Sequence, residues 1–227
     1  MPFPLPRGAF VVSCQARADN PLHGSAMMAA MARAAEQGGA RGLRINGADD
    51  IRAVRAVSTL PIIGIVKRMS QSFPVYITPD IADAIAAANA GASLIAIDAT
   101  PRPRDGLPLA ELIPAIKAKT GCAVMADVAT LDEGIAAAHL GADAVATTLA
   151  GHTAETAHRK ALGPDLDLIS ALVARLAIPV VAEGLYETPE QVGEAFLRGA
   201  HAVVVGTAIT NPREITRRFV ERSGAMR

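Results

Sequence analysis

The sequence predicts an α/β protein of the (β/α)8 TIM-barrel class, a parallel eight-stranded barrel formed as one domain over residues 1–227. Three observations carry that expectation. Short aliphatic runs alternate with Ala-rich segments of helical period. A Gly-Ala pair closes every second unit. Polar residues gather at one end of the runs. Gly39-Ala40, Gly91-Ala92, Gly141-Ala142 and Gly199-Ala200 recur at spacings of 52, 50 and 58 residues, about two strand–helix units apart. Glycine just past a helix is a common left-handed stop, because it carries no Cβ penalty there. Leu60-Pro61, Thr120-Gly121 and Ile178-Pro179 open the intervening strands, where a first-residue proline forfeits no ladder donor.

In order, strands are expected near 9–14, 41–45, 62–66, 93–97, 122–126, 143–147, 179–182 and 202–205. Helices are expected near 24–37, 48–57, 80–90, 109–119, 131–140, 165–177, 189–198 and 212–222. Continuous apolar strands indicate a sheet covered on both faces. An open doubly wound sheet would carry a glycine fingerprint after its first strand. Cys14-Gln15-Ala16-Arg17 is not one.

Composition narrows the function. The 22 Lys+Arg balance 22 Asp+Glu, so a nucleic-acid partner lacks its basic footprint. Aromatic residues are 3% of the chain, with no Trp, which argues against a ring-stacking platform. No apolar run approaches the ~18 residues of a membrane span. The proline-rich start, MPFPLPRGAF, does not read as a signal peptide. Cys14 and Cys122 form no framework, read as small buried apolar residues, and point to a cytoplasmic protein. The five histidines lack paired metal spacing, which counts against metal-dependent barrel epimerases and aldolases.

Barrel chemistry sits at the C-terminal ends of the strands. Those positions are Gln15, Arg44 with Asn46, Lys67 with Arg68, Asp98, Asp127, Thr147 with Thr148, Glu183, and Gly206 with Thr207. Lys67 stands out because the chain has 18 Arg and four Lys, and Lys67 alone of the four ends a buried strand. A desolvated lysine can trade its proton where arginine cannot. The competing reading is a structural lysine paired with Asp98 or Asp127. Glu183 lies four strands away, on the opposite side of whatever the barrel binds. A carboxylate that only orients a hydroxyl is its competing reading. Small-residue turns at Ala182-Glu183-Gly184 and Val205-Gly206-Thr207-Ala208 fit a phosphate site after strands seven and eight.

These residues resemble the N-acetylmannosamine-6-phosphate 2-epimerase family of bacterial sialic-acid and amino-sugar catabolism. The resemblance runs from about Gly8 to Val220 in VVSCQARADNPLHG, GLRINGADDI, PIIGIVKR, IAIDAT, MADVAT, TTLAGHT, VVAEG and VVVGTAIT. It implies a phosphate-binding barrel that inverts C2 of a phosphosugar without metal or redox cofactor. It implies Lys67 and Glu183 as catalytic residues. Gln15, Arg44 and Asp127 would contact substrate, with Thr148 joining them. Gly184, Gly206 and Thr207 would hold the phosphate. Two positions depart from the family: Asn211 stands where many members have Arg, and His152 where many have Tyr. Another phosphosugar isomerase or aldolase using Lys67 as a Schiff base, and a non-catalytic phosphosugar sensor, are the rival functions. Exposed barrel helices suit a homodimer, and the sequence marks none of them as its interface.

Overall fold

The computed structural model describes residues 3–224. Eight strands form a closed barrel in chain order: β1 (Ala9–Cys14), β2 (Gly42–Asn46), β3 (Ile62–Ile65), β4 (Leu94–Asp98), β5 (Ala123–Asp127), β6 (Ala144–Ala146), β7 (Val180–Glu183) and β8 (Ala202–Val205). Every pairing is parallel, and β8 returns to β1 with Val12 opposite Val205. The helices are α1 (Ser25–Gln37), α2 (Ala48–Arg55), α3 (Ile81–Asn89), α4 (Leu109–Thr120), α5 (Leu131–His139), α6 (Leu166–Arg175), α7 (Pro189–Leu197), α8 (Thr207–Thr210) and α9 (Pro212–Arg222).

The expected elements are all present, with ends moved by one or two residues. Several ends are set by caps. The Asp80 carboxylate accepts from the Ala82 and Asp83 amides, so α3 starts one residue late. Thr130 with Glu133 and Thr188 with Gln191 form reciprocal capping boxes on α5 and α7. Two elements were not foreseen: the one-turn helix α8, and a 3-10 segment over Ala157–Leu162 that contains Lys160. Cys14 is buried as expected, whereas Cys122 is only half-buried, because it enters β5 from the rim.

Side-chain parity divides the core in two. One aliphatic cluster lies between the barrel and its helices and includes Leu43, Ile45, Ile62 and Val203. The other fills the barrel: Ala9 and Val11, Ile63 and Ile65, Leu94 and Ala96, Met125, Ala144 and Ala146, Val181, and Ala202 with Val204. Because strand side chains alternate, the next inward positions are Ser13, Lys67, Asp98, Asp127, Thr148, Glu183 and Gly206. The apolar interior therefore ends in a polar rim.

Gly64 shows how closely helices approach that barrel. A Cβ at Gly64 would lie 2.5 Å from the Ala92 Cβ and 3.3 Å from the Ala87 Cβ. Gly64→Ala is expected to cost ~1–3 kcal/mol through overpacking. A urea unfolding midpoint equal to the wild type's would show that the helix layer yields freely.

Candidate active site

Arg44 occupies the inward position of β2, between the outward Leu43 and Ile45, and is 1% exposed. Its Nη2 donates to Asp127 Oδ2 at 2.5 Å and its Nη1 to Asp127 Oδ1 at 3.1 Å. Nη1 also donates to Glu183 Oε2 at 2.7 Å. Strands β2, β5 and β7 thus meet in one buried ion triad across the barrel. Thr148 Oγ1 lies 2.8 Å from Asp127 Oδ1 and 3.1 Å from Glu183 Oε2, bridging the two carboxylates. The Thr147 hydroxyl accepts from the Glu183 amide at 3.0 Å and donates to the Glu183 carbonyl at 2.9 Å, locking that backbone. These bonds use Oε2 of Glu183, which leaves Oε1 as its unengaged oxygen among the described residues.

Lys67 follows β3, its amide donating to Asn46 Oδ1 at 2.7 Å. The structural-lysine reading fails. Asp127 is taken by Arg44 and Asp98 by Arg102, and Lys67 makes no ion pair among the described residues. Its side chain is exposed at the mouth, with the protein mass of the barrel rim around it reducing the hydration of the ammonium. That burial and the Arg44 charge lower its pKa to about 8, against the pull of Glu183 and Asp127. Burial, helped by Asp127, pushes Glu183 up to about 7, while Arg44, the Thr148 bond and Lys67 act the other way. Burial would discharge Arg44, but Asp127 and Glu183 overcome it and keep the guanidinium protonated.

Gln15 donates from Nε2 to Ser13 Oγ at 2.7 Å, and its buried Oε1 has no partner among the described residues. Gly184 adopts φ 106°, directly after Glu183. Gly206 precedes α8, whose first residue is the exposed Thr207. Asn211 joins α8 to α9, and its Oδ1 accepts from Asn20 Nδ2 at 3.3 Å. Two rim residues lie apart from the triad. Arg68 turns outward to Asp80, Asp83 and Asp105. Asp98 is held by Thr100 and Arg102. Ser13 was missed, although inward parity from Val11 identifies it. Tyr76 was missed as well, and no periodicity marks it. Among the described residues no group of three or more His, Cys, Asp or Glu side chains is placed to hold a metal. No helix among them is long and apolar enough to cross a membrane.

Fold and site together define a (β/α)8 barrel whose C-terminal mouth presents ionisable groups at the ends of opposite strands. The chain belongs to the N-acetylmannosamine-6-phosphate 2-epimerase family: the family model NanE, described as "Putative N-acetylmannosamine-6-phosphate epimerase", matches residues 28–225. A Caldanaerobacter subterraneus protein of that name, as the 2-epimerase, is 45% identical over 212 residues, covering 92% of this chain and 89% of its own. The Brucella melitensis "Bifunctional enzyme NanE/NanK" is 48% identical over 210 residues, 92% of this chain and 40% of that protein. The solved N-acetylmannosamine-6-phosphate 2-epimerase from Clostridium perfringens superposes with a TM-score of 0.92 at 43% identity, covering 96% of this chain and 94% of that one.

Removing the cation should expose the cost of burying two carboxylates. Without Arg44, the largely enclosed Glu183 carboxyl, already pushed up to about 7, would hold its proton to still higher pH in the folded chain. Folding is then penalised increasingly as pH rises past the unfolded carboxylate values. Arg44→Met is expected to lose ~3–5 kcal/mol at pH 8 and less at pH 5. Urea unfolding at both pH values checks this, and an equal loss at the two would contradict it.

Proposed function

We propose that the chain is an epimerase that inverts C2 of N-acetylmannosamine-6-phosphate to give N-acetylglucosamine-6-phosphate, in sialic-acid and amino-sugar catabolism. The observation that carries this reading is the placement of Lys67, just past β3, and Glu183, at the end of the opposite strand β7, with their proton affinities drawn together. Inversion needs a proton taken from one face of C2 and one returned to the other. One member of the pair removes the C2 proton, and the electron pair of the broken C–H bond moves toward C1 and its oxygen. The other member delivers a proton to the opposite face. Oε1 is the oxygen of Glu183 that trades protons, because Arg44 and Thr148 hold Oε2.

Arg44, almost wholly buried, works through the carboxylates it orients, and its fixed charge favours the negative charge that develops nearby. Asp127 and Thr148 hold Glu183 and share the substrate's hydroxyl or acetamido groups. Gln15 offers its free Oε1 to an N–H or O–H of the substrate. The phosphate rests against Gly184, Gly206 and Thr207, where first-turn amides have no partner within the helix. Asn211 meets it with an amide where relatives place a guanidinium. Binding the phosphate remotely positions C2 for proton transfer. No metal or cofactor enters this scheme, and neither nucleic acid nor membrane is a partner. The enzyme acts in the cytoplasm as a single catalytic domain. It works as a homodimer in which a second copy covers α9, a helix with no buried residue and with Phe219 72% exposed.

A coupled assay on N-acetylmannosamine-6-phosphate tests the function. Epimerisation in D2O is expected to bring deuterium to C2, and turnover without it would eliminate the proton-transfer scheme. Lys67→Ala and Glu183→Gln should each lose at least ~1000-fold in kcat, because the pair acts as a unit. Covalent trapping by borohydride would instead mark Lys67 as a Schiff base, and binding without turnover would mark a sensor. The plot of kcat/KM against pH is expected to be bell-shaped, falling below about 7 and above about 8, the two arms belonging to the coupled pair. For the assembly, light scattering should give a dimer for the wild type and a smaller species for Phe219→Glu. A monomeric wild type overturns that part.

A further inference from the structure

One group at the mouth remains without a role. Residues 66–80 leave β3 and fold back on themselves before α3. The Arg68 amide donates to the Tyr76 carbonyl at 2.9 Å, and the Thr78 amide to the Val66 carbonyl at 2.8 Å. Lys67 and Ile77 thereby face each other in an antiparallel bridge. The returning arm is tied to the next strand as well, because the Asp98 amide donates to the Ile77 carbonyl at 3.0 Å. From outside, the Arg68 guanidinium grips Asp80, Asp83 and Asp105. Thr78 is held at φ 46°, an uncommon conformation for a β-branched residue, while its Oγ1 accepts from the Val66 amide at 3.2 Å. Strain of this kind persists only where surrounding structure over-determines it. The arm that carries Tyr76 is therefore a fixed part of the mouth.

Tyr76 is half-buried, and its ring packs against the upper end of the aliphatic cluster inside the barrel, to which Ile77 also belongs. The phenol stands within the electrostatic reach of Asp127, Asp98, Arg102 and Arg44. Burial first, then the two aspartates, raise its pKa above the ordinary phenol value, so it keeps its proton at neutral pH. A protonated phenol is a hydrogen-bond donor. This one has no partner among the described residues. Unlike the Tyr186 hydroxyl, which is buried without a partner, the Tyr76 hydroxyl keeps contact with solvent, and on the arm that bridges to Lys67 it is a donor that a bound molecule can take in place of water.

We propose that Tyr76 is a further substrate-contacting residue, its phenol donating a hydrogen bond to an oxygen of the bound phosphosugar on the Lys67 side of the mouth. This rests on the reading of the site as a C2 epimerase and adds a neutral donor that comes from a turn rather than from a strand end. Lys67 and Tyr76 arrive on the two arms of one turn, so ordering the turn sets the proton carrier and the donor together. The neutral phenol complements the charged pair: it polarises an oxygen of the substrate without exchanging a proton at working pH.

Tyr76→Phe is the test, since it removes the hydroxyl and keeps the ring against the barrel cluster. With the 6-phosphate substrate, kcat/KM is expected to fall ~10- to 100-fold, the loss of one positioned donor. Deuterium entry at C2 should slow by the same factor, while the urea midpoint stays at the wild-type value. A purely structural tyrosine would move the midpoint and leave the rates alone, and that outcome overturns the proposal, as does a variant with wild-type kcat and KM. If the wild type fails to epimerise, the reading of the function fails separately. Calorimetric binding of N-acetylglucosamine-6-phosphate then decides the inference, with weaker binding to Tyr76→Phe supporting it and equal binding overturning it.

Discussion

Placing a guanidinium inside a barrel is the constraint around which the mouth is organised. Arg44 is 1% exposed and Asp127 is fully buried, so neither charge can be met by water. Desolvating such groups costs several kcal/mol each, and their attraction offsets that only with good geometry and further hydrogen bonds. The barrel supplies both. Parity turns β2, β5 and β7 inward at the same height, and closure brings residues 83 and 139 positions apart in the chain into one contact. Thr148 fills the gap between the carboxylates, and Thr147 fixes the backbone behind Glu183. Well-packed apolar residues often replace a buried ion triad at no cost in stability, so the triad is better understood as electrostatic machinery than as a source of stability.

The barrel was legible because its signals are local and repeated. Glycine stops, proline entrances and aliphatic runs each report one strand–helix junction, and eight in register leave few alternatives. Most of the site was legible for the same reason, since strand ends such as Lys67, Asp127 and Glu183 inherit their position from the repeat. What sequence reasoning could not supply was partnership. Lys67 looked as though it could pair with Asp98 or Asp127, and only the folded chain shows those carboxylates engaged by Arg102 and Arg44. Tyr76 was illegible on other grounds. Its segment has no period, and its place depends on a turn built from amide contacts and a strained Thr78. The helix α8 escaped because a single turn carries too little pattern to register.

The neutral composition and the anionic ligand of the proposed function are compatible on this geometry. A single phosphate needs a few converging donors, whereas a polyanion needs a charged surface. Glycine turns after β7 and β8 can offer backbone amides without changing the net charge. Asn211, already accepting from Asn20, fits such a site as a polar wall in place of a cation. The scarcity of aromatic residues likewise gives Tyr76 weight: it is one of two tyrosines in the chain, and it sits at the mouth.

The convergence of Lys67 and Glu183 in proton affinity also has a simple physical origin. Arg44 lowers the proton affinity of both groups, and Asp127 raises that of both. Charges lying near both members therefore move the pair together and leave the difference between them largely unchanged. Burial acts differently, because it disfavours whichever form is charged: it lowers an ammonium and raises a carboxylate. Ordinary values of 10.5 and 4.5 thereby close to about 8 and about 7. A proton can then pass in either direction at similar cost, as a reversible inversion of one carbon requires. Closing the gap is the work of the barrel walls, and because Arg44 and Asp127 pull in opposite directions its centre stays near neutral pH.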